Sequence, residues 1–280
     1  MSNIALLLQQ ATEQLNTAST NPRLEAELLL GHALNISRSE LYCRLNDQMR
    51  EDSLMSWQTL IERRRQGEPI AYLIGQREFW SLDLAVTPDT LIPRPETERL
   101  VELALERLGR DQACRVADLG TGSGAIALAL AKERPQWRIQ ATDISLETLA
   151  VAEHNARRHQ LANIDFSVGD WCQALDPHGY DMIVSNPPYI AADDAHLTRG
   201  DLRHEPTRAL SAGDNGFAAL FAIAAQAPRY LRDGGHLLLE HGFEQQQQLF
   251  EQLARLGYHS IGEYTDYSGQ PRVVSAQWRH

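Results

Sequence analysis

The feature that most constrains the fold of this chain is a regular alternation of apolar strand-like segments and helical segments, which begins at Arg115. Five short segments have the character of strands: residues 115–119, 138–142, 164–168, 180–185 and 236–240. Helical segments lie between them. A repeated strand–helix–strand rhythm requires a mainly parallel sheet that is covered by helices on both faces.

Two more candidate strands, residues 258–264 and 272–278, have only a short turn between them. A parallel crossover needs a dozen or more residues, so these two strands must pair antiparallel. The sequence therefore predicts an α/β fold, in which a doubly wound, mainly parallel seven-stranded sheet is closed by an antiparallel hairpin.

The chain before this alternation has a different pattern. Residues 1–68 have helical character, and the apolar spacing over 52–65 predicts one of the helices. Residues 75–86 then look like a β-hairpin, and prolines stiffen the connector that follows. We therefore predict a small helical N-terminal domain (1–74), a β-hairpin and proline-rich connector (75–97), and the α/β domain (98–280).

The composition argues against several classes of protein. A net charge of −11 and a pI of about 5.4 oppose a broad grip on nucleic acid, which needs Lys and Arg facing phosphates. The cysteines are widely spaced and form no CxxC pair, which argues against disulfides and zinc. No apolar run approaches the ~18 residues that span a bilayer. We therefore predict a soluble cytoplasmic protein with no membrane association, no metal and no stable nucleic-acid binding.

A glycine-rich loop follows the first strand of the alternation and opens a helix. Glycines suit this loop because a tight turn needs positive φ and because no Cβ then separates the backbone from a ligand. Asp143, at the end of the second strand, can accept hydrogen bonds from both hydroxyls of a ribose. The candidate cofactor-binding residues in the loop are Gly120, Thr121, Gly122, Ser123 and Gly124. A dinucleotide fold has a similar loop and acid, so these signals alone leave the cofactor open.

Asp170 and Trp171 come just after the third strand, where the base of a bound nucleoside would lie. Asp170 could hydrogen-bond to an adenine, and Trp171 could stack on it. A tryptophan at this place could equally belong to the core.

Asn186-Pro187-Pro188-Tyr189 directly follows the fourth strand, at the end of a strand where such sheets bind ligands. The two prolines present carbonyl oxygens but no N–H groups, and the Asn186 side chain adds another oxygen. This loop therefore predicts a pocket of acceptors around an NH₂ group. Tyr189 could lie against the flat face of a conjugated amide or base.

Such a pocket suits transfer of a methyl group from S-adenosylmethionine to an amide or aryl amine nitrogen. Acceptors that hold the N–H groups favour pyramidalisation and direct the nitrogen lone pair at the sulfonium methyl. Good positioning could supply several of the ~7–11 kcal/mol available to well-oriented reactants. We predict Asn186, Pro187 and Tyr189 as catalytic residues, and Asn186, Pro187, Pro188 and Tyr189 as substrate-binding residues.

Three motifs together resemble the PrmC/HemK family of protein-glutamine methyltransferases. They are the glycine loop, the Asn186–Tyr189 loop and the connector Leu91-Ile92-Pro93-Arg94-Pro95-Glu96-Thr97-Glu98. The two loops are shared with many methyltransferases, whereas the connector joined to a helical N-terminal domain is specific to this family. The similarity extends over nearly the whole chain.

The resemblance implies the class I S-adenosylmethionine methyltransferase fold, which is Rossmann-like. It also implies methylation of the glutamine in the Gly-Gly-Gln motif of bacterial class I peptide chain release factors, which act in translation termination. Cofactor would then be held by Gly120 to Gly124, Asp143, Trp171 and Asn186, and the substrate glutamine by Asn186 to Tyr189. The helical domain would dock the release factor.

Two features remain open to different interpretations. The run Arg63-Arg64-Arg65 could belong to a docking surface, but a solvated helix end is favoured. Glu96 could order the connector over the active site, or it could stabilise the start of the helix that begins near Thr97.

Three other functions could use parts of this sequence. A DNA or RNA methyltransferase could use the same loop on an exocyclic amine of adenine or guanine, but it should carry a basic face. A nicotinamide-dependent oxidoreductase explains the glycine loop and Asp143 but leaves Asn186 to Tyr189 without a task. A non-enzymatic binding module would have no need for an intact acceptor loop.

Overall fold

The computed structural model describes residues 3–177, 179–198, 200–213 and 215–279, apart from the side chain of His196. The chain divides into two compact units. The helical unit comprises Met1–Gln76 and Gly200–His204, and the α/β unit comprises Arg77–Arg199 and Glu205–His280. The segment Gly200–His204 therefore packs with the helical unit, although the chain on both sides of it belongs to the α/β unit.

Within the described residues, the helical unit contains α1 (Ile4–Leu15), α2 (Pro22–Leu34), α3 (Arg38–Cys43), α4 (Glu51–Arg65) and α5 (Ile70–Ile74), with a 3₁₀ helix at Gly200–His204. The helix that the apolar spacing predicts over 52–65 is confirmed as α4. Its apolar stripe is buried in a core that α1 and α2 also line. This stripe supplies Trp57, Leu60 and Ile61.

The helical unit buries Glu27 of α2 among three donors. The side chain is 1% exposed and accepts hydrogen bonds from Arg23 and Arg38, at 2.6 and 2.7 Å, and from the Tyr42 hydroxyl at 2.8 Å. Burial alone would raise the pKa of Glu27, but these hydrogen bonds outweigh it and lower the pKa below 4.5. Glu27 is therefore a satisfied, ionised part of the core.

Arg64 near the end of α4 is also buried, at 5% exposure. It pairs with Glu25 at 2.8 Å and with Asp201 at 2.9 Å, so it ties the segment Gly200–His204 to the helices of this unit. Arg63 and Arg65 instead make ion pairs at the surface. The prediction of a solvated helix end is thus wrong for Arg64, because its partners come from distant parts of the chain.

A short hairpin, β1 (Gln76–Phe79) and β2 (Leu82–Ala85), leads into the α/β unit. The sheet of that unit contains β3 (Arg115–Leu119), β4 (Arg138–Asp143), β5 (Ile164–Val168), β6 (Tyr180–Ser185), β7 (Leu231–Glu240), β8 (His259–Thr265) and β9 (Pro271–Gln277). Its α-helices, in the described parts, are α6 (Glu98–Arg107), α7 (Ala125–Glu133), α8 (Leu146–Arg158), α9 (Thr207–Leu210), α10 (Ala218–Gln226) and α11 (Gln246–Arg255).

The seven strands lie in the order β5-β4-β3-β6-β7-β9-β8. The first five in this order are parallel neighbours, whereas β9 is antiparallel to both β7 and β8. The predicted doubly wound sheet with an antiparallel hairpin is therefore confirmed. β7 begins at Leu231 rather than at residue 236, because Leu231 pairs with Tyr180 of β6 before an irregularity, and the regular register resumes at His236.

Alternating residues of the central strands serve two different cores. Val116 of β3 and Met182 of β6 belong to a cluster that α6 and α7 cover, whereas Ala117 and Ile183 belong to a cluster that α10 and α11 cover. Successive side chains of a strand point to opposite faces, so both faces of the sheet are buried. This explains why these strands are apolar at nearly every position.

Asn155 of α8 connects the hairpin to the glycine loop. Its side chain is fully buried, donates to the backbone oxygens of Ala85 at 3.0 Å and Ser123 at 2.9 Å, and accepts from the Ala85 N–H at 2.7 Å. A single side chain thus satisfies three backbone groups and fixes the loop that borders the candidate site. Among the described helices, none combines the length and apolar character needed to cross a membrane.

Candidate active site

The chain order of the strands reverses between β3 and β6, which are neighbours in the sheet. Sheets of this kind bind ligands at such a reversal, outside the carboxyl ends of the strands. A cavity of about 450 Å³ lies there, within the ~300–1,000 Å³ typical of small-molecule sites. Its wall brings together seven of the predicted residues: Gly120, Gly122, Asp143, Asp170, Trp171, Asn186 and Pro188.

The glycine loop has the conformation that its sequence predicts. Gly120, Gly122 and Gly124 have φ angles of 68°, 59° and 87°. Nothing lies within 4 Å of the place where a Cβ on Gly122 would stand, so the backbone is bare where it borders the cavity. Thr121 and Ser123, by contrast, are buried, and they support the loop from inside.

Asp118, the last but one residue of β3, anchors the glycine loop. Its Oδ2 accepts from the Thr121 hydroxyl at 2.7 Å and from the Ala127 N–H at 3.1 Å. Burial raises the pKa of Asp118 to about 7, and the charge of Asp143 adds to the rise. Its Oδ1 has no hydrogen-bond partner among the residues that the structure describes.

Asp143 ends β4 and lies on the cavity wall. Its Oδ2 accepts from the Gly122 N–H at 3.1 Å, and its Oδ1 accepts from the Ser145 N–H at 3.0 Å. Burial raises the pKa of Asp143, while these two hydrogen bonds and the Arg208 guanidinium act in the opposite direction. A carboxylate has about four acceptor positions, so Asp143 keeps capacity for the hydroxyls of a ligand.

Asp170 and Trp171 follow β5 and both contribute to the cavity wall. Asp170 is exposed, and Trp171 is only partly buried. The Trp171 ring also packs against the core cluster on one face of the sheet, and its φ of 47° is unusual for a bulky residue. The Trp171 ring therefore packs against the core and also lines the cavity.

Asn186 follows β6 directly and lies on the cavity wall. Its Nδ2 donates to the Thr97 hydroxyl at 3.0 Å, so the amide oxygen, on the other branch of this planar group, points away from Thr97. Within the described chain, no donor occupies that oxygen or the carbonyl oxygens of Pro187 and Pro188. The loop thus keeps the free acceptors that its composition predicts, and its one side-chain donor is bound elsewhere.

Pro187 and Tyr189 lie behind the cavity wall. Pro187 is buried. Tyr189 packs against the core cluster that α10 and α11 cover, and its hydroxyl donates to Glu240 at 3.2 Å. The role of Tyr189 as a flat surface under the substrate stays a prediction, as do the direct roles of Thr121, Ser123, Gly124 and Pro187.

Gln245, which is 8% exposed, holds the end of the Asn186–Tyr189 loop. Its side-chain nitrogen donates to the Tyr189 carbonyl at 3.0 Å and to the Gly216 carbonyl at 3.1 Å. Gly216 has a φ of 72°, and a Cβ there would stand 2.4 Å from the Tyr189 carbonyl oxygen. Only glycine allows this close approach of the two chain segments.

Glu240, the last residue of β7, is 1% exposed. Burial raises the pKa of its carboxyl to about 7. Thr97, Arg272 and Tyr189 act against this rise, and the charge of Glu96 adds to it. Oε2 of Glu240 has no hydrogen-bond partner among the residues that the structure describes.

The sequence analysis did not predict the part of the cavity wall that follows the Asn186–Tyr189 loop in the chain. Arg208 lies on this wall and donates to the Ser145 hydroxyl at 2.9 Å. Ile144, directly after Asp143, exposes most of its apolar side chain there. An isolated parallel bridge between Ile190 and Ser211 returns the chain to the cavity. No local periodicity marks that bridge, whereas Ile144 could have been found from its place next to Asp143.

The connector is held by a buried glutamate. Glu205 is 5% exposed, accepts from the Ile92 N–H at 3.0 Å and forms an ion pair with Arg94. The connector residues Asp89 and Leu91 lie on the cavity wall. The connector is therefore a structural part of the site and more than a spacer.

The structure also bears on metal and cysteine chemistry. Across the described residues, no group of three or more His, Cys, Asp or Glu side chains is placed to hold a metal ion. Cys43, Cys114 and Cys172 are all free thiols, and burial raises the pKa of Cys172 to about 12.

Comparison with known proteins decides which family this site belongs to. The chain is 47% identical over 277 residues to the release factor glutamine methyltransferase of Coxiella burnetii, and the match covers 99% of each chain. The chain belongs to the release factor glutamine methyltransferase family. It is also 45% identical over 271 residues to the Escherichia coli protein of that name, with 97% of each chain covered. The resemblance to PrmC/HemK enzymes is therefore confirmed.

Two family models match this methyltransferase in succession. The PrmC N-terminal domain model matches residues 7–75, and the methyltransferase small domain model matches residues 98–213. A solved methyltransferase from Pyrococcus furiosus is 17% identical and has a TM-score of 0.55, covering 80% of this chain and 98% of that chain. This likeness supports the fold, and family membership removes the oxidoreductase and the non-enzymatic alternatives.

Proposed function

We propose that this enzyme transfers a methyl group from S-adenosylmethionine to the side-chain amide nitrogen of the glutamine in the Gly-Gly-Gln motif of class I release factors, in the cytoplasm. One observation carries the proposal. Asn186 and Pro188 line a cavity that the glycine loop also lines, and no described donor occupies the Asn186 amide oxygen or the carbonyl oxygens of Pro187 and Pro188. An NH₂ group is the natural guest of such a pocket.

The cavity fits the cofactor on its own chemistry. The bare backbone at Gly122 permits close approach of a ligand, and Asp143 keeps acceptor capacity for ribose hydroxyls. Asp170, Trp171 and Ile144 would surround the adenine, with Ile144 offering an exposed apolar surface. When bound, S-adenosylmethionine supplies an electrophilic methyl group on a positively charged sulfur.

The residues of this chain would prepare the substrate nitrogen. The lone pair of an amide nitrogen is delocalised, so the nitrogen is a poor nucleophile. The Asn186 side-chain oxygen and the neighbouring proline carbonyls would accept its N–H groups, favour pyramidalisation and hold the lone pair in line with the methyl. The same oxygens would stabilise the positive charge that develops on nitrogen, without needing a strong base.

The other parts of the chain would bring the release factor to this pocket. We propose residues 1–74 as the docking domain, residues 75–97 as the connector that borders the cavity and residues 98–280 as the catalytic domain. The N-terminal part carries more acidic than basic residues, which suits a protein partner better than a nucleic acid.

The test is to incubate the enzyme with labelled S-adenosylmethionine and, in separate reactions, a purified release factor, DNA and RNA, and then to locate the methyl by mass spectrometry. We expect label on the Gly-Gly-Gln glutamine only, and none on a release factor whose motif glutamine is changed to alanine. Asn186→Ala should lower methyl transfer about 100-fold or more but keep cofactor affinity within about tenfold. Label on nucleic acid, or on another side chain, would contradict the proposal.

A further inference from the structure

Thr97 ends the 3₁₀ turn Pro95–Thr97, which leads directly into α6, and its backbone angles are helical, with φ of −67° and ψ of −19°. Its hydroxyl makes no capping bond to the backbone N–H groups of that helix. It accepts instead from Asn186 Nδ2 at 3.0 Å, and Thr97 is only 4% exposed. The Thr97 hydroxyl therefore serves no helix cap and instead contacts the Asn186–Tyr189 loop.

Glu240 lies close enough to Thr97 for the Thr97 hydroxyl to lower its pKa. It is buried at the end of β7, its Oε1 accepts from the Tyr189 hydroxyl at 3.2 Å, and Thr97 stabilises its ionised form. An ionised carboxylate can only accept hydrogen bonds. Because Asn186 Nδ2 donates to the Thr97 oxygen at 3.0 Å, the Thr97 hydroxyl keeps its single hydrogen for the nearby Glu240, whose ionised form it stabilises.

We infer that Thr97 and Glu240 are positioning residues that set the orientation of the Asn186 amide, so that Asn186 presents its oxygen, and not its NH₂, to the substrate. The inference rests on the proposed function, since it concerns the acceptor that holds the substrate amide. The two ends of an asparagine amide have nearly the same shape, so packing alone cannot choose between them. A flipped Asn186 would place a donor in front of the substrate NH₂ group and repel it.

The direction of these hydrogen bonds depends on the charge of Glu240. A protonated carboxyl can donate to Thr97, which frees the Thr97 hydrogen to point at Asn186 and removes the preference for one orientation. Since burial raises the pKa of Glu240 to about 7, the preference is complete above that pH and is lost as the pH falls through it.

The other charged and titratable groups that face Glu240 are Arg272 of β9, Glu96 beside Thr97, Tyr189 in the catalytic loop and the adjacent His241. Burial raises the pKa of Tyr189, which stays neutral, and lowers the pKa of His241, which stays neutral above about pH 6.5. The pKa of Arg272 is raised, so its charge is constant. Among the groups that face Glu240, Glu240 itself is the one whose charge changes near pH 7. Asp118, whose pKa is also raised to about 7, lies under the glycine loop, so its titration should appear in the cofactor affinity.

The first test compares Thr97→Val, which keeps the shape of the side chain but lacks the hydroxyl, with Thr97→Ser, which keeps the hydroxyl. We expect kcat on a purified release factor to fall roughly 10- to 100-fold in Thr97→Val, as for a misdirected catalytic group, and Thr97→Ser to recover most of it. The cofactor Kd from calorimetry and the KM for the release factor should change less than about threefold. Unchanged kcat in Thr97→Val, or equal losses of kcat and cofactor affinity, would overturn the inference.

The second test measures kcat against pH for the wild type and for Glu240→Gln, with the exposed Glu244→Gln as the matched control. The wild type and the control should lose activity as the pH falls through 7. At saturating cofactor, Glu240→Gln should have a lower kcat at pH 8, a pH profile flatter than that of the wild type and a melting temperature no lower than that of the wild type. A wild-type profile in Glu240→Gln would refute the inference while the proposed function stands. No label on glutamine with the wild-type enzyme would instead refute the proposed function.

Discussion

Glu27 in the helical unit and Glu240 in the α/β unit are both 1% exposed, but their surroundings differ. Glu27 accepts hydrogen bonds from two arginines and a tyrosine, and its pKa is lowered. Glu240 has one well-formed hydrogen bond, an oxygen with no full partner and a pKa raised to about 7. The exposure of the two side chains is the same, so the opposite pKa shifts follow from the two arginines that bind Glu27 near the surface and from the deeper position and neutral tyrosine donor of Glu240.

The different hydrogen-bond partners of Glu27 and Glu240 show how each unit uses its buried polar groups. A buried carboxylate with a full set of donors adds specificity and stability to its surroundings, whereas an under-satisfied one costs stability. The helical unit satisfies Glu27 completely because it serves the fold. The α/β unit leaves Glu240 and the Asn186 oxygen short of partners, which is the arrangement that a substrate or a hydrogen-bond relay needs.

The first residues of two helices repeat this contrast. Ser37 caps α3 in full, since its hydroxyl accepts from the Glu40 N–H at 3.2 Å and the Glu40 carboxylate accepts from the Ser37 N–H at 2.9 Å. Thr97 lies in the 3₁₀ turn that leads into α6, where it caps no helix, and its hydroxyl contacts Asn186 instead. Four substitutions test how the buried polar groups of the two units affect stability.

The largest effect should come from Arg64→Met, which removes a buried cation from the helical unit. Glu25 and the backbone oxygens of Ala18 and Glu68 then lose their charged donor. We expect the free energy of unfolding to fall by about 4 kcal/mol in urea titrations. The neighbouring Arg65→Met, whose ion pair is exposed, should cost less than about 1 kcal/mol. Equal effects of the two changes would show that the buried network does not stabilise this unit.

Glu240→Gln should have the opposite sign. The raised pKa means that the folded state binds the proton more tightly than the unfolded state. This contribution is complete below about pH 4.5 and is lost as the pH rises through 7. At pH 8.5 the ionised Glu240 therefore costs about 3 kcal/mol, and the amide should restore much of it. The check is the free energy of unfolding of both proteins at pH 8.5 and pH 5, where the gain should disappear.

Glu27→Gln should destabilise the protein by about 2 kcal/mol near pH 7, because the amide cannot accept from all three donors. The lowered pKa of Glu27 makes this stabilisation present above about pH 4.5 and lost as the pH falls through the lower folded-state value. The gap between wild type and variant should hence narrow in acid, as followed by denaturant titration. The exposed Glu13→Gln is the control. A stabilising effect would mean that Glu27 resembles Glu240 after all.

The smallest effect should come from Ser37→Ala, which removes the cap of α3 and should lower the free energy of unfolding by about 1 kcal/mol. Activity on the release factor should stay at the wild-type level, since Ser37 supports only its own helix. Ser39→Ala, an exposed change within the same helix, should have almost no effect. If Ser37→Ala lowered activity by more than its loss of stability explains, Ser37 would act on the site as Thr97 does.

Much of the α/β unit could be predicted because its signals are local. The strands β3, β5 and β6 have the predicted ends, and the glycine loop has the predicted positive φ angles, since apolar runs and glycines report on a few adjacent residues. The Asn186–Tyr189 loop is also predictable from local signals, namely its composition and its place directly after β6. The failures are long-range. Arg64 looked like a solvated helix end until partners from other segments were known.

The sequence by itself determined the order of strands and helices, the position of the glycine loop and the presence of an acceptor-rich loop after a buried strand. Which side-chain donors pair with which acceptors follows from the tertiary structure alone. Thr97 and Glu240 contact the site from segments far from Asn186 in the chain, and Arg208 returns to the cavity wall through a bridge that no local pattern marks. The physical reason is that periodicity records which face of an element is buried. A hydrogen bond between side chains instead depends on distances of a few tenths of an ångström, which only packing sets.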